Sequence, residues 1–384
     1  MDPTSPPSGY PAHRAIDIGL RDGSTVHIRP ILPSDLDDVD DLFTRVSFQS
    51  LRLRFHGVHH PSRDELRRFV EIDYRDSFSL VAVTALGDGP RIVALATYIG
   101  TTEKKAELAL LVDDPFHGRG IGSILIEHLS EAAAEAGIET LEAEILSANS
   151  EMLEVLRSLE LPVDSKVSFG AVHAEFPTSP TPAALEAFER REAVASAAGV
   201  RAFLKPSSVA VIGASRKRGT ISGEIFHNLL DAGFEGPVFP VNPHTPVVQS
   251  VSAYASVTEV PGPVDLAVIA VPARSVLSAA TECAEKGIRA LLVITSGFAE
   301  IGAEGAELQR ALLEIARRHG MRIVGPNCMG LMNTDPSIRL DASFAPSRPS
   351  SGRLAFSSQS GALGIAVIDR SRELGLGLSS FVSV

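Results

Sequence analysis

The sequence predicts an α/β protein of several domains: a mixed α+β sandwich, then a parallel doubly wound sheet, then the start of another α/β unit. Three observations carry this. The chain has 384 residues, 44 % of them hydrophobic, more than one ordinary domain requires. Apolar runs of strand length alternate with helical patterns through its second half. Two turns of small residues, Gly118–Gly122 and Gly213–Ser215, each follow an apolar run and precede a helical one.

The elements follow in order. Residues 1–14 read as a flexible tail: Met1 to His13 is rich in Pro and Ser and lacks the apolar stretch of a signal peptide. A first domain spans 15–176. It opens with strand-like Val26-His27-Ile28-Arg29-Pro30 and a capped helix from Ser34. Strand-like runs recur at Leu80–Thr84, Ile92–Ile99, Leu108–Val112 and Leu141–Ile145. Residues 177–200 read as a linker, broken by Pro177, Pro180 and Pro182, with a polar alanine-rich helix over Ala183–Ala198. Residues 201–335 form the second domain, with apolar strands at Val209–Ile212, Val238–Val241, Leu266–Val271, Leu291–Thr295 and Ile323–Val324. Helical spacing lies between them: Ile221, Ile225 and Leu229, then Val276 to Lys286, then Leu308, Leu312 and Ile315. Residues 350–384 hold strand-like Leu354-Ala355-Phe356, a Ser-Gln-Ser-Gly turn, a helix and strand-like Ser380–Val384. A lone βαβ start cannot bury both faces of a sheet, so this last domain reads as incomplete.

Composition excludes several classes. Lys and Arg number 35 against 47 Asp and Glu, a net charge of −12, which disfavours general nucleic-acid binding. Cys283 and Cys328 are the only cysteines, so no disulfide framework exists and a reducing, cytoplasmic setting is expected. No apolar run approaches the roughly 20 residues that span a bilayer. No metal site is expected.

Residues 107–122 carry the most chemistry. Leu108 to Val112 reads as a buried strand, Asp113-Asp114-Pro115 as a turn, and Gly118, Gly120 and Gly122 open an amphipathic helix. Such a turn exposes backbone N–H groups at the positive end of a helix dipole, and glycine leaves room for a phosphate. This order resembles the acetyl-CoA-binding motif of the GNAT N-acetyltransferases, with His117 where Gln or Arg is usual. Further stretches resemble the GNAT domains of one bacterial lineage fused to acyl-CoA synthetase-like modules: Val26–Pro30, Ser50-Leu51-Arg52-Leu53-Arg54-Phe55, Ala106–Ala109 and Ala148–Leu153. The resemblance implies that Val112, His117, Gly118, Arg119, Gly120, Ile121, Gly122 and Asn149 touch the cofactor, although Asn149 also suits a helix N-cap. It also implies that Glu107 is the general base. An amine must be neutral to attack a thioester, and a carboxylate near the reacting end can take its proton if burial lifts its pKa toward neutrality. The competing reading pairs Glu107 with Lys104 or Lys105. Arg52 and Arg54 either line the acceptor side or form a polar face beside Leu51, Leu53 and Phe55.

The second domain lacks the Gly-x-Gly-x-x-Gly turn and the acid that would hold a ribose, so a dinucleotide is disfavoured. Gly213-Ala214-Ser215, Val241-Asn242-Pro243, Thr295–Glu300 and Gly325–Cys328 resemble the CoA-binding domain of NDP-forming acyl-CoA synthetases. The resemblance implies a Rossmann-like domain that contacts CoA through Gly213, Ala214, Ser215, Asn242, Thr295, Ser296 and Gly297. Arg216, Lys217 and Arg218 either meet a 3′-phosphate or stay solvated, and Cys328 reads as a small buried residue. Ser357–Gly361 resembles the start of the flavodoxin-like domain that follows in those enzymes; Ala362–Val384 contains no histidine to carry a phosphoryl group.

The function expected is an acetyl-CoA-dependent N-acetyltransferase acting on protein lysines, with an AMP-forming acyl-CoA synthetase as a reasonable acceptor and the second domain as a CoA or acetyl-CoA sensor. The alternative is the front part of a bifunctional NDP-forming acetate–CoA ligase. A third, non-enzymatic reading is a CoA-binding regulator with an inert GNAT domain.

Overall fold

Strand periodicity decides the first sheet. Val26, Ile28 and Pro30 are buried and alternate with half-buried Thr25, His27 and Arg29, as a strand with one fully covered face requires. The computed structural model describes residues 6–57, 59–86 and 89–384. They form two compact units, Met1–Ser196 and Ala197–Val384.

The first unit holds β1 (Ile16–Gly19), β2 (Thr25–Pro30), β3 (Ser77–Leu86), β4 (Gly89–Gly100), β5 (Lys105–Val112), β6 (Thr140–Leu146), β7 (Asp164–Ser168) and β8 (Ala171–Pro177). They form one sheet in the order β1-β2-β3-β4-β5-β6-β8-β7. Among its described residues, only β5 and β6 pair in parallel. The crossover between them is α4 (Ile121–Glu135), whose Ile121, Leu125, Ile126 and Leu129 bury against Ile28, Leu80, Tyr98, Leu108 and Leu141. The other face is covered by α1 (Leu36–Arg45), α2 (Phe48–Phe55) and α3 (Arg63–Val70), through Val39, Leu42, Phe43, Leu51 and Leu66 against Val81, Leu95 and Leu111. Burying each such side chain stabilises by about 1.5–3 kcal/mol. Ser47 caps α2, and Ser62 with Glu65 closes a capping box on α3. Between β6 and β7 lies α5 (Ser150–Ser158).

Two features differ from the sequence expectation. The hairpin β7–β8 is unforeseen, because β7 is exposed at every residue and shows no apolar period. The helix expected over Ala183–Ala198 is α6 (Pro182–Leu204), with a proline at its first position, where the missing N–H costs nothing.

The second unit holds β9 (Val209–Ile212), β10 (Val238–Val241), β11 (Val247–Val248), β12 (Val251–Ser252), β13 (Leu266–Ile269), β14 (Ala290–Val293), β15 (Arg322–Val324), β16 (Gly330–Asn333), β17 (Leu340–Ser343), β18 (Ser351–Ser358) and β19 (Leu378–Ser383). A parallel sheet runs β10-β9-β13-β14-β15, and β9, β13 and β14 are buried throughout. Its faces are covered by α7 (Ile221–Asp231), α8 (Val276–Lys286) and α9 (Ala303–Arg318). The first strand, β9, lies between the second and the third, so the strand order reverses beside it; ligands of open α/β sheets bind at the carboxyl ends of strands at such a point.

A further sheet runs β17-β16-β19-β18, with α10 (Gly361–Glu373) between β18 and β19. Its β16 and β17 precede the segment that the sequence assigns to the last domain. Leu331 and Met332 on β16 pair with Val382 and Phe381 on β19, which supplies part of the cover that a lone βαβ start lacks. Among the described residues no helix is long and apolar enough to cross a membrane.

Candidate functional site

Strands β5 and β6 pair only at Lys105–Thr140, Ala106–Leu141 and Glu107–Glu142. Past Glu107 they part, while β5 stays paired to β4 as far as Val112. The edge of β5 facing β6 therefore has no ladder partner beyond Glu107. A cleft of about 680 Å³ opens there, lined by Glu107–Val112 of β5, Ala143–Ile145 of β6, the glycine turn, and Leu53, Arg54 and Phe55 of α2. An unpaired strand edge suits a ligand that carries amides along its length.

At one end of the cleft lies the glycine turn. Gly118 and Gly120 have φ of +72° and +94°, a region other residues enter only under strain. Gly120 is the N-cap of α4 and no side chain caps that helix, so its first-turn N–H groups remain for an anion. A Cβ on Gly118 would meet nothing within 4 Å, whereas one on Gly122 would lie 3.1 Å from Leu110 Cδ2. The glycine at 122 thus lets α4 start close against β5. The turn is held from the opposite layer: Arg45 pairs with Asp113, and the hydroxyls of Ser47 and Ser50 donate to Asp114 at 2.7 and 2.8 Å.

Of the residues expected at this site, Glu107, Val112, His117, Gly118, Gly120, Ile121, Gly122 and Asn149 line the cleft. Arg119 is absent from its lining; its guanidinium pairs with Asp22 at 3.0 Å and lies over the Phe116 ring at 4.8 Å. His117 Nε2 bonds the Val112 carbonyl at 2.9 Å while Nδ1 faces Glu151 at 3.0 Å, so the ring ties the strand end to α5. Asn149 combines both of its readings: it lines the cleft, and its Oδ1 accepts from the Met152 N–H at 3.0 Å as the cap of α5. Glu107 lies at the point where the strands part, and it is exposed, so the burial that the sequence reading asked of a general base is absent there. Lys104 pairs with Glu139 and Lys105 with Glu175, so both lysines that could have engaged Glu107 are directed elsewhere.

Sequence reasoning missed Arg21. It lines the cleft at the glycine-turn end, its Nε 3.4 Å from where a Cβ of Gly120 would stand. It lies in the β1–β2 turn, about a hundred residues before the glycines, and no local motif marks it. Glu142, His173 and Glu175 cluster on the neighbouring strands with Lys105 paired to Glu175.

The second unit has a cavity of about 550 Å³ lined by Thr295, Ser296, Asn327, Cys328, Gln359 and Ser222 among others. Of the residues expected here, Thr295 and Ser296 line it, whereas Gly213, Ala214, Ser215, Asn242 and Gly297 do not. Those five mostly hold the loops together. The Gly213 N–H donates to the Val241 carbonyl, Asn242 Nδ2 donates to the Ala214 carbonyl at 2.9 Å, and the Gly297 N–H donates to Glu300 at 2.6 Å. Arg218 is engaged by Glu224 in a bidentate pair at 2.9 Å, which takes it out of the basic trio. Burial pushes the Cys328 thiol up to about 11, so it stays protonated and unreactive at neutral pH.

Residues 45–159 match the acetyltransferase (GNAT) family, and residues 207–334 match the CoA binding domain family. The acetate–CoA ligase [ADP-forming] II subunit alpha of Pyrococcus furiosus is 45 % identical over 182 residues, 47 % of this chain and 39 % of that protein. The acetyltransferase Pat of Mycolicibacterium smegmatis is 33 % identical over 146 residues, 38 % of this chain and 43 % of that protein. The crystal structure of the GNAT domain of S. lividans PAT is 32 % identical, with 44 % of this chain and 99 % of that chain covered and a TM-score of 0.41. The chain thus spans about two fifths of the length of these curated relatives, and the higher identity falls on the ligase side. CoA, free or acetylated, is the ligand common to both matched families, and this chain joins a GNAT acetyltransferase-family domain to a CoA-binding domain.

Proposed function

We propose that the first unit transfers an acetyl group from acetyl-CoA to a protein lysine. The observation that carries this is Glu107, placed where β5 and β6 part, at the far end of a cleft whose other end is the uncapped glycine turn. The turn would hold the pyrophosphate and the open β5 edge the amide-bearing arm, leaving the thioester at the parting of the strands. There Glu107 takes the proton of the attacking amine. An AMP-forming acyl-CoA synthetase is the acceptor to try first. Mass spectrometry of such a synthetase, after incubation with acetyl-CoA and this chain, should find an acetylated lysine. No added acetyl group on any candidate would count against the reading.

A second reading concerns the other unit and has the stronger sequence support. We propose that residues 197–384 serve as the CoA-binding part of an NDP-forming acyl-CoA ligase, the observation being the 45 % identity to a ligase α subunit. ADP-dependent consumption of acetyl-CoA by the full-length gene product tests it. The two readings involve different units and can both hold.

A further inference from the structure

Arg54 is a half-buried cation in the wall of the first cleft. Among the described residues no hydrogen bond or ion pair engages its guanidinium, which lies over the face of the Phe55 ring, 5.0 Å from its centre. Other arginines nearby are engaged by carboxylates: Arg45 pairs with Asp41 and Asp113, and Arg119 with Asp22. Arg21, at the glycine-turn end of the same cleft, is the other arginine in its lining. Burial pulls the Arg54 guanidinium below its ordinary value, against the attraction of Glu107. A cation held partly out of water without a partner is costly unless negative charge arrives there. The other titratable groups at this end of the cleft are Glu107 on β5, Glu144 on β6 and His56, whose Nε2 is bonded to the Glu144 carbonyl at 3.1 Å.

We propose that Arg54 is a catalytic residue that stabilises the negative charge developing on the thioester during acyl transfer. This rests on the acetyltransferase reading above. The amine lone pair attacks the carbonyl carbon and forms the C–N bond, and the carbonyl π pair moves onto oxygen. The C=O bond then re-forms, the C–S bond breaks and its electron pair leaves on sulfur. The amine proton passes to Glu107 and from there to solvent or to the departing thiolate. Positive charge thus develops beside Glu107, and negative charge beside Arg54. A preorganised cation at that place lowers the barrier without needing to reorganise.

The test uses the full chain with Arg54→Gln and Arg54→Lys, acetyl-CoA as donor and an AMP-forming acyl-CoA synthetase as acceptor. Arg54→Gln should lower kcat by about 100-fold with KM for acetyl-CoA changed less than about threefold, and Arg54→Lys should recover most of the loss. A second readout is independent of turnover: thiolate absorbance of bound CoA, titrated with pH. The thiol held by the wild-type chain should ionise at lower pH than that held by Arg54→Gln, by about half a unit or more. CoA on the second unit contributes equally to both and cancels. Undiminished kcat in Arg54→Gln, or superimposable thiol titrations, overturns the proposal. So does equal loss in Arg54→Lys, which would mark a structural role. A wild-type chain without transferase activity would instead defeat the acetyltransferase reading, while the thiol titration still decides whether Arg54 meets the sulfur.

Discussion

The two glycine turns look alike in sequence and differ in their surroundings. At Gly118 and Gly120 a Cβ would meet either nothing or the flexible Arg21 side chain, and the helix start beyond them is uncapped. At Gly213 a Cβ would stand 2.6 Å from the Ala270 carbonyl oxygen and 2.8 Å from Val271 Cγ1. Its N–H is already spent on Val241. The first turn, glycine for its positive φ, leaves open space in front of its backbone. The second needs glycine so that β9 can pass β13. A strand–glycine–helix motif therefore reports close backbone approach, and only the surroundings say whether the approaching group is ligand or protein.

The largest test of that contrast is Gly213→Val. Its φ of +89° and the clash with backbone should together cost roughly 3 kcal/mol or more. Thermal unfolding should show the second unit melting well below wild type, with the first unit unmoved. An unshifted melt would mean that the turn has room and that the glycine serves a ligand after all. Next in size is Glu107→Gln. The side chain is exposed, so folding should be unaffected. Acetyl transfer should fall about 100-fold or more with acetyl-CoA binding little changed. Steady-state kinetics at saturating donor reads this directly, and full turnover in the variant would remove Glu107 from the chemistry.

The same contrast explains what the sequence could disclose. The strands from Val26 to Leu146 and the parallel sheet were legible because period-two alternation and short apolar runs reflect burial, which dominates folding energy. The hairpin β7–β8 was not, since β7 buries nothing, pairs only with β8 among the described strands, and joins the sheet through β8's pairing with β6 on the far side of α5. In the first cleft, the longest continuous part of the lining, Glu107 to Gly122, was legible because strand, turn and helix start follow one another in sequence. Arg21 and the orientation of Arg119 were not, because they depend on the β1–β2 turn meeting the glycine turn across the fold. In the second unit, the motif residues were read as ligand contacts, yet Asn242 and Gly297 are held by Ala214 and Glu300. A polar loop residue looks the same in sequence whether its partner is a cofactor or the next loop.

Calorimetry sharpens the comparison at the level of binding. CoA should bind in two events, one per unit. Gly120→Val should delete the first, at a stability cost of about 1–2 kcal/mol for a left-handed valine. Gly213→Val would confound binding with folding, so the second event is better probed by Ser296→Phe, whose exposed side chain lines the other cavity. A single event, lost in only one of these variants, would reduce the other unit to scaffold.

The smallest effect concerns Glu224, which occupies donors that the sequence reading offered to a phosphate. Its carboxylate takes both Arg218 nitrogens at 2.9 Å and the Gly219 N–H at 2.6 Å. These bonds, the Arg218 pair foremost, hold it down at about 2 against an ordinary 4.5. A carboxyl depressed in the folded state stabilises fully above its unfolded value and loses that contribution as pH falls towards the folded one. The second unit should therefore lose stability between about pH 4.5 and pH 2 through this group. Because the pair is solvent-accessible, the contribution at neutral pH should stay below about 1 kcal/mol. Glu224→Gln should flatten that part of the acid limb in a melting series and free Arg218. If CoA binding to the second unit then tightens, Arg218 becomes a phosphate ligand that Glu224 restrains. If binding is unchanged, the trio of basic residues is a solvated surface and the loop was built for itself.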